Sequence, residues 1–156
     1  MLSNSCVTEP VSAPAAEPSI AAAVVNGLLG RELNFPAGLL GFADCQSFGL
    51  SHFKAGDGAP SPFFVLNSRD RELSFVVIHP DWVTLDYCLP LSAELLGRLG
   101  VGSEQQVLPL LIVTVRERIE DITVNLQGPL AIGIDSGIGA QLVVEEYPLR
   151  YPLIVK

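Results

Sequence analysis

The hydrophobic pattern of this chain consists of short apolar runs separated by turn residues. The runs are five to nine residues long, and most are followed closely by Gly, Pro, Asn or Asp, which is typical of β-strands joined by short turns. We predict strands at 20–25, 28–35, 48–53, 63–67, 73–79, 83–89, 107–115, 122–126, 129–134 and 141–145. So many short strands favour an all-β fold, either a small β-barrel or a sandwich.

One segment has helical periodicity instead. Its apolar positions 91, 95, 96 and 99 fall on one face of a helix. Ser92 can cap the N-terminus of this helix, and Gly100 can end it. We therefore predict one short α-helix, over 91–99, within the β-domain.

Turn residues indicate how the strands connect. Asn26-Gly27 suits a tight hairpin turn. The segment FPAGLLGF at 35–42 has Pro and two Gly around large apolar groups, which predicts a loop held by its own side chains. The charged residues 68–72 predict the turn of a second hairpin. Pro109 cannot donate to a sheet ladder, so we expect it at an edge or a bulge.

The chain divides into a polar N-terminal segment and one domain. Residues 1–18 are rich in Ala, Pro and Ser, which predicts a disordered tail before a domain at 19–156. No apolar run is long enough to span a bilayer, and residues 1–24 have no Lys or Arg for a signal peptide. The three widely spaced cysteines suggest reduced thiols. We predict a cytoplasmic protein.

The net charge disfavours some classes of binding partner and favours others. The chain has 9 basic and 17 acidic residues, a formal net charge of −8, and no basic run. Nucleic-acid binding draws most of its affinity from Lys and Arg at phosphates, so direct contact with nucleic acid is disfavoured, as is an anionic membrane. A basic protein partner would be attracted instead.

Few residues of the sequence match motifs for catalysis or cofactor binding. Asp135-Ser136-Gly137 after an apolar run resembles an aspartic-protease turn, but that chemistry needs two carboxylates and no second copy of the motif occurs. A plain turn is the favoured interpretation. We expect His79, at a strand end, to be structural. Neither a metal site nor a nucleotide site is supported by residue spacing, so we predict no enzyme activity, no cofactor and no metal.

Two other function classes stay open. A small-ligand-binding β-barrel would need an apolar cavity of roughly 300 Å³ or more. A dimeric aspartic protease would need Asp135 of two chains to face each other across a two-fold axis.

Four segments, in order, resemble motifs of one family. They are FPAGLLGF at 35–42, the hairpin PFFVLNS and LSFVVI at 62–78 with Pro80, the stretch ITVNLQGPL at 122–130, and QLVV with YPLR at 141–150. Together they resemble the bacterial flagellar assembly factor FliW family, over about 30–153.

The resemblance implies a function. Proteins of this kind are cytoplasmic chaperone-like regulators that bind flagellin or, alternatively, the translational repressor CsrA. Export of flagellin frees the factor to antagonise the repressor, so that flagellin translation is coupled to export. The resemblance implies a monomer that works by protein binding, without catalysis.

We expect the partner contacts to come from loop residues, because strands position loops for recognition. Asn125 carries an amide between apolar neighbours that can pair with a partner backbone or, alternatively, satisfy the adjacent turn at Gln127-Gly128-Pro129. Acidic side chains in predicted turns are candidates for electrostatic contact. These are Asp70, Glu72, Glu117, Glu120 and Asp121.

Overall fold

A computed structural model of the chain describes residues 24–53, 62–83, 87–118 and 121–153. The described part is built from antiparallel strands, which confirms the all-β, barrel-like prediction. The strands are β1 (Glu32–Asn34), β2 (Ser47–His52), β3 (Phe63–Ser68), β4 (Ser74–Ile78), β5 (Val107–Thr114), β6 (Thr123–Gly133), β7 (Gly139–Gln141) and β8 (Tyr151–Pro152). One α-helix, α1 (Ala93–Arg98), and two short 3-10 turns, Pro80–Trp82 and Glu104–Gln106, lie between β4 and β5.

The strands form one sheet that curls into a half-barrel. Strands β1 to β7 are neighbours in chain order, and β8 pairs with β6 beside β7. The two ends of this order meet, because Asn34 of β1 forms a parallel bridge with Ile138. The Arg31 guanidinium adds two hydrogen bonds there, to the carbonyl oxygens of Ile134 (2.7 Å) and Asp135 (3.0 Å).

The inner face of the curled sheet is filled by side chains. Phe35 and Phe48 are fully buried and meet edge to face at 5.4 Å between ring centroids. Such close packing disfavours the ligand-binding barrel, which needs an empty apolar interior. The principal residues of this cluster are Leu28, Leu33, Phe35, Leu39, Phe48, Leu50, Phe64, Leu66, Val77, Leu108, Leu110, Leu130 and Ile132.

The outer face has two smaller clusters. Helix α1 places Leu95 and Leu99 against Val107 and Ala131 at one end of the sheet. At the other end Leu153, from the C-terminal segment, packs on residues of β4, β5 and β6. The sheet is therefore covered on its outer face by elements that lie far apart in the sequence.

Strand β6 is longer than the pattern predicts and carries a wide bulge. We expected strands at 122–126 and 129–134 with a turn at Gln127-Gly128-Pro129 between them, and this is wrong, because β6 runs through all of these residues except Ile122 and Ile134. The pairs Ile112↔Asn125 and Leu110↔Leu130 show that residues 126–129 stand opposite Leu111 alone. Neighbouring strands hold both halves of β6 in one sheet, so the turn residues become a bulge instead.

Four other strand predictions are wrong, at least in part, in the described residues. Residues 28–31 of the expected strand 28–35 form turns, and β1 begins only at Glu32. Residues 24–26 form a helical turn, with the Gly27 N–H bonded to the Val24 carbonyl, where a strand and an Asn-Gly hairpin were expected. Residues 87–89 of the expected strand 83–89 are irregular. Strand β7 ends at Gln141, so most of 141–145 is not strand. At 141–145 the backbone still bonds to β6, from the Leu142 and Val144 N–H groups to the carbonyl oxygens of Pro129 and Gln127, but only along the bulge.

The predictions made from helix-capping residues and from the 35–42 loop are confirmed. Ser92 caps α1 through its hydroxyl oxygen, which accepts the Leu95 N–H at 3.1 Å. Gly100 follows the helix with φ +72°, a conformation that glycine adopts without strain. The 35–42 loop is pinned by the buried Phe35 and Leu39. Pro109 pairs with Ala131 of β6 and lies outside the part of β5 that pairs with β4, which begins at Leu111.

The cysteines do not all fit the prediction. Cys45 is a free, fully buried thiol, as expected. Cys88 takes part in a disulfide, so the expectation of reduced thiols is wrong for that residue. The predicted disordered tail, 1–18, lies outside the described residues.

Candidate protein-binding surface

Two charged hairpin turns lie at the same end of the sheet. The β3–β4 turn covers 69–73, and the β5–β6 turn covers 115–122. Both β4 and β6 start at this end, because consecutive strands of the sheet are antiparallel. The topology thus gathers four of the six predicted contact residues, Asp70, Glu72, Glu117 and Asp121, at one end. Glu120 lies outside the described residues.

The first hairpin is fixed by hydrogen bonds. One Asp70 carboxylate oxygen accepts the backbone N–H groups of Gln46 (2.8 Å) and Ser47 (3.0 Å). These two backbone hydrogen bonds hold the pKa of Asp70 below its ordinary value. The Ser68 hydroxyl accepts two further N–H groups, from Asp70 and Arg71. Asp70 therefore joins the hairpin to the start of β2.

An ion pair also connects the β3–β4 turn to the loop before β2. Arg71 of the hairpin lies 3.3 Å from the Asp44 carboxylate in the loop before β2. Both side chains are more than half exposed, so the pair contributes little energy but restricts where the loops lie. Glu72 is exposed beside them and belongs to the same turn.

The second hairpin is open to solvent. Glu117 and Asp121 are both exposed, and the Asp121 N–H bonds to the Arg118 carbonyl within the turn. Asp121 lines a depression of about 310 Å³ together with Arg116, Thr123 and Arg150. This depression is polar and charged, so it does not meet the requirement of an apolar ligand cavity.

Asn125 lies away from both turns, on β6 at the start of the bulge. Its side-chain oxygen accepts the backbone N–H groups of Gln127 and Gly128, both at 2.9 Å. The residue is half-buried, and its amide nitrogen lies close to Gly128, where an added Cβ would approach it to 3.1 Å. The Asn125 side chain therefore satisfies backbone N–H groups within the bulge and stabilises its shape.

Other side chains complete the bulge. The Gln141 amide donates to the Gly128 carbonyl and accepts the Leu40 N–H, which links the bulge to the 35–42 loop. The Tyr87 hydroxyl donates to the Leu126 carbonyl at 2.6 Å, and burial raises the pKa of this phenol. No local sequence pattern predicts these contacts, because their partners come from separate segments.

The two hairpins are less acidic than expected. Residues 69–73 contain two Arg, one Asp and one Glu, a net charge of 0. Residues 115–122 contain two Arg, two Glu and one Asp, a net charge of −1. By contrast 79–106, which includes α1, has four acidic residues and one Arg, a net charge of −3. The excess negative charge of the chain is therefore spread beyond the hairpins.

The residues considered for catalysis have structural roles. His79 accepts the Asp81 N–H through Nδ1 and caps a 3-10 turn, and burial lowers its pKa more than the nearby Asp81 raises it. Asp135 stands in the turn after β6, where its carboxylate accepts from Gln106 at 3.4 Å. The Ser136 hydroxyl donates to the Leu99 carbonyl, which ties this turn to α1.

Two tests for other site classes give negative results within the described ranges. No group of three or more His, Cys, Asp or Glu side chains there is placed to hold a metal ion. No helix of that part of the chain is long and apolar enough to cross a membrane.

Fold and surface together define a class: a small antiparallel half-barrel with charged hairpins at one end of its sheet. Residues 24–153 match the sequence model of the family described as FliW protein. A flagellar assembly factor FliW from Carboxydothermus hydrogenoformans is 34% identical over 77% of each chain. One from Natranaerobius thermophilus is 35% identical, over 78% of this chain and 80% of its own.

A solved structure extends the comparison to three dimensions. The crystal structure of the flagellar assembly factor FliW superposes with a TM-score of 0.70 at 28% identity, over 80% of this chain and 86% of that one. The chain belongs to the FliW family of flagellar assembly factors, as its motifs suggested.

Proposed function

We propose that this chain binds flagellin and, alternatively, the translational repressor CsrA in the cytoplasm, and so couples flagellin translation to export. It acts by protein binding and not by catalysis. The observation that carries the proposal is the match to the FliW family over residues 24–153, the full span of the described residues, together with the similarity to flagellar assembly factors.

The negative net charge of this chain supplies a physical mechanism by which it would antagonise the repressor. A protein that binds RNA presents Lys and Arg to phosphates, so its RNA-binding face is basic. A partner of net charge −8 is attracted to that face and adds negative potential beside it. RNA binding is then weakened by a coupling free energy between the two ligands, without direct competition for the same atoms.

The six candidate residues have two different roles in this proposal. Glu72, Glu117, Glu120 and Asp121 are proposed to contact the basic partner. Asp70 and Asn125 use their side-chain oxygens on backbone N–H groups of the protein itself. Direct contact through these two oxygens would compete with the bonds that shape the loops, so we propose that both position the contact surface.

The first experiment identifies the partners. The full chain, tagged and purified, is used to recover proteins from the cytoplasm of a motile bacterium, with mass spectrometry of the bound fraction. Recovery of flagellin and CsrA is expected. Absence of both from the bound fraction would contradict the proposal.

The second experiment locates the contact. Association rates with purified CsrA are measured at ~50 and ~500 mM salt, where screening should slow attraction between opposite charges. The double variant Glu117→Lys/Asp121→Lys should bind at least about tenfold more weakly. The control Glu94→Lys/Glu104→Lys makes the same change of charge on the 79–106 segment. Equal losses in both would contradict a contact at the hairpin.

A further inference from the structure

Two arginines meet in the depression beside the second hairpin. Arg116 follows β5, Arg150 immediately precedes β8, and Thr123 begins β6 between these strands. Thr123 pairs with Thr114 on one side and with Pro152 on the other. We propose that this depression binds a side-chain carboxylate of an acidic segment of a partner protein.

Neither guanidinium is used by the fold. The structure records no hydrogen bond or ion pair for Arg116 or Arg150 within the residues it describes, and both are exposed. Arg31 is different, because its guanidinium closes the half-barrel on two carbonyl oxygens. Arg71 is paired with Asp44. The two arginines of the depression are thus available to an external anion.

The lining has the chemistry of an anion site. Two guanidinium groups in one depression repel each other, and a carboxylate between them relieves this repulsion and can accept two parallel N–H bonds from either group. The Thr123 hydroxyl adds a neutral donor. Asp121 opposes the same anion, because its own carboxylate lies in the lining. Among the residues that the structure describes, the lining has two Arg and one Asp, a charge of +1 in a protein of net charge −8.

The surroundings favour a protein segment over a polyanion. Val115 and Leu149, the neighbours of the two arginines in sequence, are large apolar residues with 54% and 52% of their surfaces exposed. They offer apolar contact to residues that flank an acidic side chain. A nucleic acid brings many phosphates toward an acidic protein, whereas one carboxylate meets only the local positive charge.

The site shares Asp121 with the proposed contact for a basic partner, but it binds through different side chains, Arg116 and Arg150. It uses cations of the chain instead of its acidic side chains, so it would admit a second protein segment of opposite charge. Failure of the proposed flagellin and CsrA binding would leave this site untouched, and the reverse also holds.

The test is a titration of the full chain, labelled with ¹⁵N, followed by NMR. The probe is the peptide acetyl-Leu-Glu-Leu-amide, and the matched control is acetyl-Leu-Gln-Leu-amide. The Glu peptide should shift the Nε–H signals of Arg116 and Arg150, and the Gln peptide should not. Inorganic phosphate is titrated separately to represent a free anion.

Replacing the arginines and replacing Asp121 should change the affinity for the Glu peptide in opposite directions. Arg116→Gln and Arg150→Gln should each weaken binding of the Glu peptide by about two- to fivefold, the range expected of one exposed charge pair. Asp121→Asn should strengthen it by a similar factor. Arg98→Gln, an exposed arginine on α1, should leave it unchanged.

Three results would overturn the proposal. The first is equal binding of the Glu and Gln peptides, and the second is weaker binding by Asp121→Asn. The third is phosphate binding more tightly than the Glu peptide, which would assign the depression to a free anion. Amide spectra of each variant establish that it is folded, and the strengthening by Asp121→Asn cannot arise from unfolding.

Discussion

The β3–β4 and β5–β6 hairpins resemble each other in sequence and differ in what their charges do. Both turns mix arginines with acidic residues. In the first, Asp70 and Ser68 accept four backbone N–H groups in total, and Arg71 pairs with a neighbouring loop. In the second, the acidic residues Glu117 and Asp121 are exposed, and Asp121 lines a depression with two arginines. The first hairpin uses its charges to organise the sheet, and the second leaves them available to partners.

This difference follows from position in the sheet. The first hairpin lies beside the loop before β2, so N–H groups at the start of that strand are within reach of its side chains. The second lies beside β8, a strand of two residues that directly follows Arg150 and offers few backbone groups. Four predictions measure the difference, in order of decreasing effect.

The largest effect is expected at the base of the hairpins. Phe48 pairs with Ser68 and is fully buried, so Phe48→Ala should lower the free energy of unfolding by about 3–5 kcal/mol. Thr114, exposed at the base of the second hairpin, should change it by at most about 0.5 kcal/mol when replaced by Ala. Urea unfolding measures both, and similar losses would contradict the comparison.

A smaller effect is expected from the hydroxyl that fixes the first turn. Ser68→Ala leaves the N–H groups of Asp70 and Arg71 without their acceptor, which should cost about 1 kcal/mol. Ser68→Thr keeps the hydroxyl and serves as the control. Thermal unfolding distinguishes them, and equal melting temperatures for the Ala and Thr variants would show that these two bonds do not stabilise the turn.

The Asp70 carboxylate should make the first hairpin sensitive to acid. Its pKa is below the ordinary value of 3.8, so its charged form stabilises the folded state above that pH. The contribution is lost as the pH falls through the folded pKa. Asp70→Asn should therefore melt at a lower temperature than the wild type at pH 7 and close to it at about pH 2. Glu72→Gln, in the same turn, should match the wild type throughout, and a constant gap for Asp70→Asn would contradict the hydrogen-bond explanation.

The smallest effect on stability is expected from the second hairpin. Glu117→Gln and Asp121→Asn should each change the free energy of unfolding by no more than about 0.5 kcal/mol, because exposed side chains away from caps and networks contribute little. Urea unfolding of these variants beside Asp70→Asn makes the contrast direct. A loss above about 1 kcal/mol in either would show that the second hairpin is also structural.

Sequence patterns identified the parts of the fold that depend on neighbouring residues. Helix α1 has its own cap at Ser92, and the β3–β4 hairpin has its charged turn between two apolar runs. The split of β6 was predicted wrongly for the converse reason. Gly128-Pro129 is a local turn signal, but β5, β7 and β8 all pair with β6, and Asn125 and Gln141 satisfy the displaced backbone.

The candidate site shows the same division. Glu117 and Asp121 were found because charged turns are visible in the sequence, although nothing there separates them from Asp70, whose carboxylate is taken up by Gln46 and Ser47. Arg116 and Arg150 were not selected as site residues, because they meet only when β5 and β8 flank the start of β6.

The class of fold, the helix and its cap, the negative net charge and the family could all be recognised from the order of amino acids. Alternating apolar positions and capping residues act over a few neighbours, so they can be read without a structure. Three features could be seen only in the folded chain: which charged turn is fixed, how β6 absorbs its turn residues, and which arginines share a depression. These depend on pairing between strands that are remote in the chain, where one backbone supplies the partner that another side chain needs.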